Sequence, residues 1–353
     1  MSITGSQHRV LPLKTFATCD LARLQQVEAA RWHRLLDWDP SPAPSTIADL
    51  IDRHWVDGRV LLESDRPCGY CLFAIDGTKG IIGSFFLDPI DRAGAMALLR
   101  ASVDAVLATE QVTRVEAELP LADQELLTEV LGAIGFVGYP RLYLRRALGS
   151  RETVAATGAG AVAHQVRPWR AEDFGPSAEL LKDAYSGHLE QYLHLQYATS
   201  YGCGSFLDQL FKYTGCGTFD PHISLSAVHR RTGRLSAFLI GSQISPGCAH
   251  LPQVAVHPDH WGCGLGKRIV EQFMDRCVAR GYTRVTLNVT EANYRAVGLY
   301  RRLGFAEGLR FNAYLLDRSA PCRRVPGPAP ERDRCSDEGR ESDEASSPGR
   351  GSG

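Results

Sequence analysis

Apolar and polar residues in the second half of the chain alternate between the period of a helix and the period of a strand. Residues 265–280 carry apolar side chains at intervals of three and four, which predicts a helix with one buried face. A second helix is predicted at 293–303, where Gly304 follows as a typical C-terminal cap. Short apolar or alternating runs predict four strands: 234–242, 249–256, 284–289 and 311–316. This pattern indicates a mixed α/β fold.

The same order of features occurs twice along the chain. The offset from Pro89 to Pro258 is 169 residues, and the offset from Gly135 to Gly304 is the same. The segment TRVEAEL in the first half likewise corresponds to TRVTLNV in the second. A nearly constant offset over separate features indicates a duplicated fold. We therefore predict two tandem copies, each a mixed central sheet flanked by helices.

Composition marks the boundaries between the two copies. Residues 149–164 are rich in small residues and glycine, which predicts a flexible linker. Residues after 317 are rich in proline, glycine, serine and mixed charge, with almost no large apolar side chains, which predicts a disordered tail. The predicted organisation is a first domain, a linker, a second domain and a tail: 1–148, 149–164, 165–317 and 318–353.

Three glycines lie between the strand and the helix at the centre of the second copy. Gly262, Gly264 and Gly266 are followed at once by Lys267 and Arg268. Glycine allows a tight turn and a close approach to an oxygen atom, and a helix N-terminus presents unpartnered amides to an anion. The spacing fits neither a P-loop nor a dinucleotide-binding fingerprint. The loop is therefore suited to a phosphate or pyrophosphate of another kind.

The overall composition excludes several classes of protein. The formal net charge is −1, so no broad basic field attracts nucleic acid. No apolar run approaches the roughly 18 residues of a membrane span, and the first residues lack the apolar core of a secretory signal. We therefore predict a cytoplasmic protein without a nucleic-acid or membrane partner. Cys68 and Cys71 have the spacing of a redox motif, but the residues after them predict a strand, so we interpret both as core residues.

The segments VAVHPDHWGCGLGKRIV and TLNVTEANYRAVGLYRRLGF together resemble the GCN5-related N-acetyltransferase (GNAT) family. That family combines an apolar strand, a glycine loop that opens a helix, and an asparagine followed by a tyrosine and a glycine–phenylalanine pair. The resemblance covers residues 166–317 well and residues 10–148 only as a faded copy. It implies a tandem GNAT fold that transfers an acetyl group from acetyl-coenzyme A directly to a primary amine.

The resemblance also implies which residues bind acetyl-coenzyme A. The pyrophosphate is expected at seven loop positions: Trp261, Gly262, Cys263, Gly264, Leu265, Gly266 and Lys267. The backbone of Val254, Ala255 and Val256 is expected to pair with the pantetheine arm like an added strand. Asn293 matches the family asparagine next to the cofactor. Trp261 departs from the pattern, because the family usually has arginine or glutamine there, and one cation–phosphate contact is lost.

Catalytic roles follow from the same resemblance. Tyr300 matches the general acid that protonates the leaving thiolate, and the amide near Val254 is expected to stabilise the oxyanion. Some relatives use a glutamate as general base where this chain has Asn288, which cannot take up a proton. His250, which titrates near neutrality, and Glu291 are candidates for the base. A chain of ordered water, or entry of a neutral amine, is the alternative.

The first copy lacks these features. Its loop, DRAGAMALL, has Gly94 alone, and Leu131 lies opposite Tyr300 at the 169-residue offset. The first copy is therefore expected not to bind acetyl-coenzyme A productively. In the second copy, residues 185–222 are expected to cover the acceptor. Their aromatic side chains either line its pocket or belong to the helix core.

The acceptor amine is expected to belong to a small molecule, an amino acid or a peptide. Two other functions stay open: an aminoacyl or peptidyl transferase of the tandem fold, and a non-catalytic acyl-coenzyme A sensor. The intact glycines disfavour the first of these, and Tyr300 disfavours the second. No metal site is expected, and the protein is predicted to be a monomer or a homodimer.

Overall fold

A computed structural model describes residues 8–39, 51, 56–149 and 163–319 of the 353-residue chain. Almost all of the predicted linker at 149–164 and of the predicted tail at 318–353 lies outside these residues. The first strand of the second half begins at His164, at the end of the predicted linker.

The first half contains six strands and three helices in its described part. The strands are β1 (His8–Pro12), β2 (Asp57–Glu63), β3 (Arg66–Asp76), β4 (Lys79–Leu87), β5 (Arg114–Glu118) and β6 (Val137–Ala147). The helices are α1 (Ala22–Leu36), α2 (Arg92–Leu107) and α3 (Gln124–Ile134). Cys68 and Cys71 are both buried in β3, as predicted, and burial raises the pKa of the Cys71 thiol to about 12.

The second half repeats this order and has additional helices between its first strand and its next strand. The strands are β7 (His164–Pro168), β8 (Thr218–Phe219), β9 (Leu225–His229), β10 (Leu235–Ser245), β11 (Cys248–Val256), β12 (Arg284–Thr290) and β13 (Ala306–Asp317). The helices are α4 (Phe174–Tyr185), α5 (Leu189–Leu193), α6 (Ser200–Lys212), α7 (Leu265–Ala279) and α8 (Tyr294–Arg302). The predicted elements of this half are confirmed, and the last strand is longer than predicted.

Thirteen strands form one sheet, in which the last strand of each half pairs with the other half. The order along the sheet is β1-β2-β3-β4-β5-β13-β6-β12-β11-β10-β9-β7, and β8 pairs with β10. Strand β13 is antiparallel to β5, with Ala313 opposite Glu118, and β6 is antiparallel to β12, with Leu144 opposite Leu287. The final strands are thus exchanged. The domain boundaries at 148 and 165 remain predictions. They divide the chain by sequence position, whereas the strands of the sheet pair across them.

Each face of the sheet is covered by helices that bury an apolar side. In the second half, α7 and α8 pack on one face through residues such as Ile269, Phe273 and Val297. Helices α4 and α6 pack on the other face, against Phe238 and Ile240 of β10. Helices α2 and α3 take the corresponding place in the first half. The mixed sheet with helices on both faces confirms the predicted fold class.

Two glycines at the same place in each half show the duplication in the backbone. Gly135 follows α3 with φ of 104°, and Gly304 follows Leu303 at the end of α8 with φ of 77°. Both lie in the left-handed region, where glycine has no Cβ penalty and the last helical carbonyls find amide partners. In the described part of the chain, no helix is long and apolar enough to span a membrane.

Candidate active site

Strands β11 and β12 separate in the middle of the second half. They pair in parallel from Cys248 opposite Arg284 to Leu251 opposite Leu287, and the pairing stops there although both strands continue. The later part of β11, from Val254 to Val256, keeps its pairing with β10. Its other edge therefore faces a gap, and an extended ligand can add to such an edge as a strand would.

The glycine loop lies at the end of β11, where α7 begins. Gly262 and Gly264 have φ of 81° and 80°, in the left-handed region that disfavours residues with a Cβ. Gly264 is the N-cap of α7 and provides no side chain to its first turn. The amides of that turn therefore carry the partial positive charge of a helix N-terminus without a side-chain cap.

The corresponding helix of the first half is capped by a carboxylate. The Asp91 side chain accepts a hydrogen bond of 2.6 Å from the Gly94 amide at the start of α2, and it lies 3.3 Å from the imidazole of His8. This carboxylate occupies the position at which α7 presents free amides, and its charge repels an anion. Of these two helix N-termini, only that of α7 is therefore electrostatically suited to an anion.

Trp261 closes the loop on the side of β11. Its indole Nε1 donates a hydrogen bond of 2.7 Å to the carbonyl oxygen of Val256, and the guanidinium of Arg295 lies 4.8 Å from the centre of its ring. The side chain that replaces the usual arginine or glutamine is therefore fixed to the strand. The carbonyl oxygen of Val256 therefore already accepts a hydrogen bond from the indole.

Tyr300 lies on the inner side of α8 and is 5% exposed. Burial, followed by the nearby Tyr185 and Glu190, raises the pKa of its phenol well above the usual value. The phenol therefore keeps its proton at neutral pH, which is the state that a general acid requires. At the start of the same helix, Asn293 caps the first turn by accepting a hydrogen bond of 3.1 Å from the Ala296 amide.

His250 does not have the environment that a general base needs. It lies on the paired part of β11, opposite Thr286, and its Nδ1 is 2.9 Å from the Thr286 hydroxyl. The Trp38 ring packs on it at 5.4 Å, and burial lowers its pKa to about 3. Burial therefore disfavours uptake of a proton by His250 near neutral pH, and its role as the base stays a prediction. Glu291, the other candidate, forms an ion pair with Arg310.

A carboxylate that the sequence did not indicate lies near Tyr300. Glu190 of α5 is 7% exposed. Burial acts to raise its pKa, but Arg141 and then His194 outweigh burial, so the net shift is downward. Glu190 is therefore ionised at neutral pH. The local pattern around Glu190 does not indicate it, because its main partner, Arg141, lies on a strand of the first half.

The first half supplies the partners of α5. Arg141 of β6 donates a hydrogen bond of 2.6 Å to Glu118 and lies 3.3 Å from His194. Arg114 of β5 donates hydrogen bonds of 2.6 and 2.7 Å to the carbonyls of Tyr192 and Leu193 at the end of α5. The first half thus holds the segment that carries Glu190. The acidic residues near Arg141 come from both halves, Glu118 from the first and Glu190 from the second. The sequence alone therefore shows no acidic cluster here.

The aromatic residues of the covering segment divide between the interior and the surface. Tyr185 and Tyr197 stack with ring centres 4.6 Å apart, and Gln253 of β11 donates a hydrogen bond of 3.2 Å to the Tyr185 hydroxyl. Tyr201 is 88% exposed, and Tyr213 is also exposed. Tyr185 and Tyr197 therefore lie against the strand that lines the gap, whereas Tyr201 and Tyr213 belong to neither a pocket nor a core.

Known proteins are similar in sequence to part of this chain. Residues 181–305 match the model of the Acetyltransferase (GNAT) family. The [Ribosomal protein bS18]-alanine N-acetyltransferase of Escherichia coli K12 is 36% identical over 85 residues, which is 24% of this chain and 57% of that protein. The chain thus spans little more than half the length of this curated relative.

Solved structures resemble the chain over most of its length. A GCN5-related N-acetyltransferase from Sphaerobacter thermophilus has a TM-score of 0.65 at 14% identity and covers 90% of this chain and 98% of its own. A tandem GNAT protein from the clavulanic acid biosynthesis pathway has a TM-score of 0.56 at 17% identity and covers 90% of this chain and all of its own. At these identities the likeness concerns the fold alone.

Residues 181–305 thus match the GNAT family, and the fold of the chain resembles that of tandem GNAT proteins, with two copies in one chain.

Proposed function

We propose that this protein transfers an acetyl group from acetyl-coenzyme A to a primary amine, by direct attack of the amine on the thioester. The observation that carries the proposal is the uncapped N-terminus of α7, with left-handed glycines at 262 and 264, beside the gap between β11 and β12. Backbone amides at a helix N-terminus favour a phosphate, and the free edge of β11 favours the extended pantetheine arm.

The residues of the loop would bind the cosubstrate through backbone groups. Amides from Gly262 to Lys267 would hold the pyrophosphate. The edge from Val254 to Val256 would pair with the arm, although Trp261 already occupies the Val256 carbonyl. The Val254 amide would stabilise the oxyanion, because a fixed dipole in a water-poor site stabilises developing charge. Asn293 would remain the cap that sets the start of α8.

Tyr300 would donate its proton to the leaving sulfur. The amine nitrogen bonds to the thioester carbon, the carbon–sulfur bond breaks, and the phenol proton passes to the thiolate. The phenol is protonated at neutral pH, as an ordinary tyrosine also is, and its raised pKa makes it a weaker acid than a free tyrosine. An acceptor that arrives as an ammonium ion first loses one proton to water, because only the neutral amine can attack. After the attack the nitrogen releases a second proton to water, and the tyrosinate takes back a proton from the solvent.

Glu190 would serve as a counter-ion for the amine. A carboxylate whose pKa lies below its usual value is a weak proton acceptor, so its charge matters more than its basicity. That charge favours an acceptor that arrives as an ammonium ion. A peptide N-terminus and a small-molecule amine both satisfy this requirement, and the alanine N-acetyltransferase among the relatives makes a peptide beginning with alanine a reasonable first acceptor to test.

A matched pair of loop variants tests the cosubstrate. A Cβ at Gly264 would meet nothing within 4 Å, and both asparagine and aspartate tolerate a left-handed backbone. Calorimetric titration of acetyl-coenzyme A should therefore give at least about tenfold weaker binding for Gly264→Asp than for Gly264→Asn, because only the aspartate variant places a negative charge at the phosphate.

Wild-type protein that fails to bind acetyl-coenzyme A would overturn the proposal and favour the aminoacyl-transfer alternative. Equal binding by the two variants would show that the phosphate lies elsewhere. Acceptors would then be screened by release of free thiol, first with alanine-terminated peptides and small amines.

A further inference from the structure

The two cations that follow the glycine loop are both engaged with other groups. Lys267 lies 3.6 Å from the Glu271 carboxylate, one helical turn along α7. Arg268 donates a hydrogen bond of 3.2 Å to the carbonyl of His164 on β7. The loop therefore has no cation from its own segment directed at its amides, and Trp261 stands where the family usually has arginine or glutamine.

A third cation reaches the loop from another helix. Arg295 lies in the first turn of α8, and its guanidinium is held over the Trp261 ring at 4.8 Å. Among the described residues it forms no ion pair. A guanidinium stacked on an aromatic face keeps its in-plane N–H donors available for a second partner. The charge of Arg295 is thus uncommitted and lies next to the loop.

Trp261 is itself fixed in place. Its indole N–H is bonded to the carbonyl of Val256, so the ring has a defined orientation against β11. The start of α8 is close by, since a Cβ on Gly266 would lie 3.8 Å from the Leu299 side chain of that helix. The ring therefore provides a platform for Arg295 at the mouth of the loop.

We propose that Arg295 supplies the cation that the loop lacks, by binding a phosphate group of the acyl-coenzyme A, and that Trp261 acts as the positioning residue that holds it there. This inference rests on the proposed function. The phosphate is either the pyrophosphate or the 3′-phosphate, since the guanidinium suits both.

Calorimetric titration with acetyl-coenzyme A, S-acetylpantetheine and dephospho-coenzyme A tests the role of Arg295. Arg295→Gln should bind acetyl-coenzyme A about tenfold more weakly than the wild type, and the dependence of affinity on salt should decrease. The same substitution should leave the binding of S-acetylpantetheine, which has neither phosphate, unchanged. If the loss persists with dephospho-coenzyme A, the contact is to the pyrophosphate. If it disappears, the contact is to the 3′-phosphate.

Equal affinity of Arg295→Gln and wild type for acetyl-coenzyme A would overturn the inference and leave the proposed function intact. Lack of binding by the wild type would instead refute the proposed function. An equal loss for acetyl-coenzyme A and S-acetylpantetheine would indicate a structural effect of the substitution and would also overturn the inference.

Three substitutions at Trp261 test its positioning role. Trp261→Phe keeps an aromatic face and should retain most of the affinity, whereas Trp261→Leu should lose about as much as Arg295→Gln. The double variant Trp261→Leu/Arg295→Gln should bind no more weakly than either single variant, because both remove one interaction. Trp261→Arg should restore binding in the Arg295→Gln background. Additive losses, or no rescue by Trp261→Arg, would contradict the role.

Discussion

At the scale of single residues, the two halves differ most in what lies at one helix N-terminus. Asp91 caps α2 with a carboxylate, whereas Gly264 leaves the first turn of α7 without a side chain. A second difference lies in the next helix. The second half has the phenol of Tyr300 at the position where the first half has the apolar side chain of Leu131. The chemistry proposed for the second half depends on these few positions, because the surrounding sheet and helices are shared.

Removal of the Tyr300 hydroxyl should lower kcat without lowering cosubstrate affinity. Tyr300→Phe keeps the buried ring and its contact with Phe305 but has no proton to donate. We expect kcat to decrease about 100-fold. The measurement is thiol release with the first acceptor found, together with titration of acetyl-coenzyme A. A kcat close to that of the wild type would exclude Tyr300 as the acid.

The burial of His250 predicts a dependence of stability on pH. Its pKa is about 3 in the folded protein and about 6.5 in the unfolded chain, so the unfolded chain binds the additional proton between these values. Protonation of His250 in the unfolded chain therefore does not reduce the free energy of unfolding well above pH 6.5. As the pH falls through 6.5, this protonation favours the unfolded chain and the free energy of unfolding decreases. Between pH 7.5 and 5.5 this loss amounts to about 1 kcal/mol.

The variant His250→Gln keeps a polar side chain opposite Thr286 but does not titrate. Urea unfolding of both proteins at pH 7.5 and 5.5 should show a smaller decrease for the variant, by about 1 kcal/mol. An identical decrease in the two proteins would mean that His250 is accessible to protons in the folded state. In that case its role as a base would need to be reconsidered.

At the scale of elements, α5 depends on the opposite half for its position. Tyr139 of β6 and Leu315 of β13 pack against Leu193, and Arg114 holds the two carbonyls at the end of α5. A helix of five residues has little stability of its own, because nucleation costs more than so short a helix recovers. The contacts from β5, β6 and β13 therefore fix α5, and with it Glu190.

Substitution of Arg114 should release α5. Arg114→Lys keeps a charge for Glu116 and Asp317 but cannot reproduce the planar contact with two carbonyls. We expect faster amide exchange in peptides that cover 189–194, with little change in the unfolding temperature. Arg114→Met should also lower the global stability by about 2 kcal/mol, because it removes one cationic partner of Glu116 and Asp317 and the donor to two carbonyls. Unchanged exchange in Arg114→Lys would exclude the clamp.

The predicted elements agree with the structure where the local pattern was strong. The helix predicted at 265–280 is observed as Leu265–Ala279, and the strand predicted at 284–289 as Arg284–Thr290. The strand predicted at 311–316 extends over Ala306–Asp317. Its additional residues at 306–310, AEGLR, have neither the alternation nor the apolar run that predicts a strand. They are extended because β13 pairs along its length with β6 and at its end with β5.

At the scale of the whole molecule, the exchanged strands join the two halves. Strands β6 and β13 lie between β5 and β12, and both pair across the boundary between the halves. The pairing of β6 with β13 places the last strand of the first half beside the last strand of the second half, at the centre of the sheet. The two halves therefore share hydrogen bonds and side-chain packing that neither could complete alone.

The exchange predicts cooperative unfolding of the two halves. Calorimetry should give one transition for the full chain, because melting of either half removes the partners of a central strand in the other. Far-ultraviolet and near-ultraviolet circular dichroism should follow the same curve. Two separate transitions would show that the halves unfold independently and that the shared strands contribute little.

The sequence by itself determined the local features of this protein: the repeat, the amphipathic helix, the glycine loop and the tyrosine that follows Asn293. The helix, the loop and the tyrosine depend on neighbours within one segment, and the repeat depends on the comparison of two such segments, so spacing and residue type are sufficient. Only the tertiary structure decided which strands pair across the halves, because β6 and β13 have similar patterns and either could lie beside β5 or β12. It also decided that His250 is buried, that Glu190 meets Arg141, and that Arg295 reaches Trp261. These contacts join distant segments, and burial and charge at such places depend on packing that no local pattern contains.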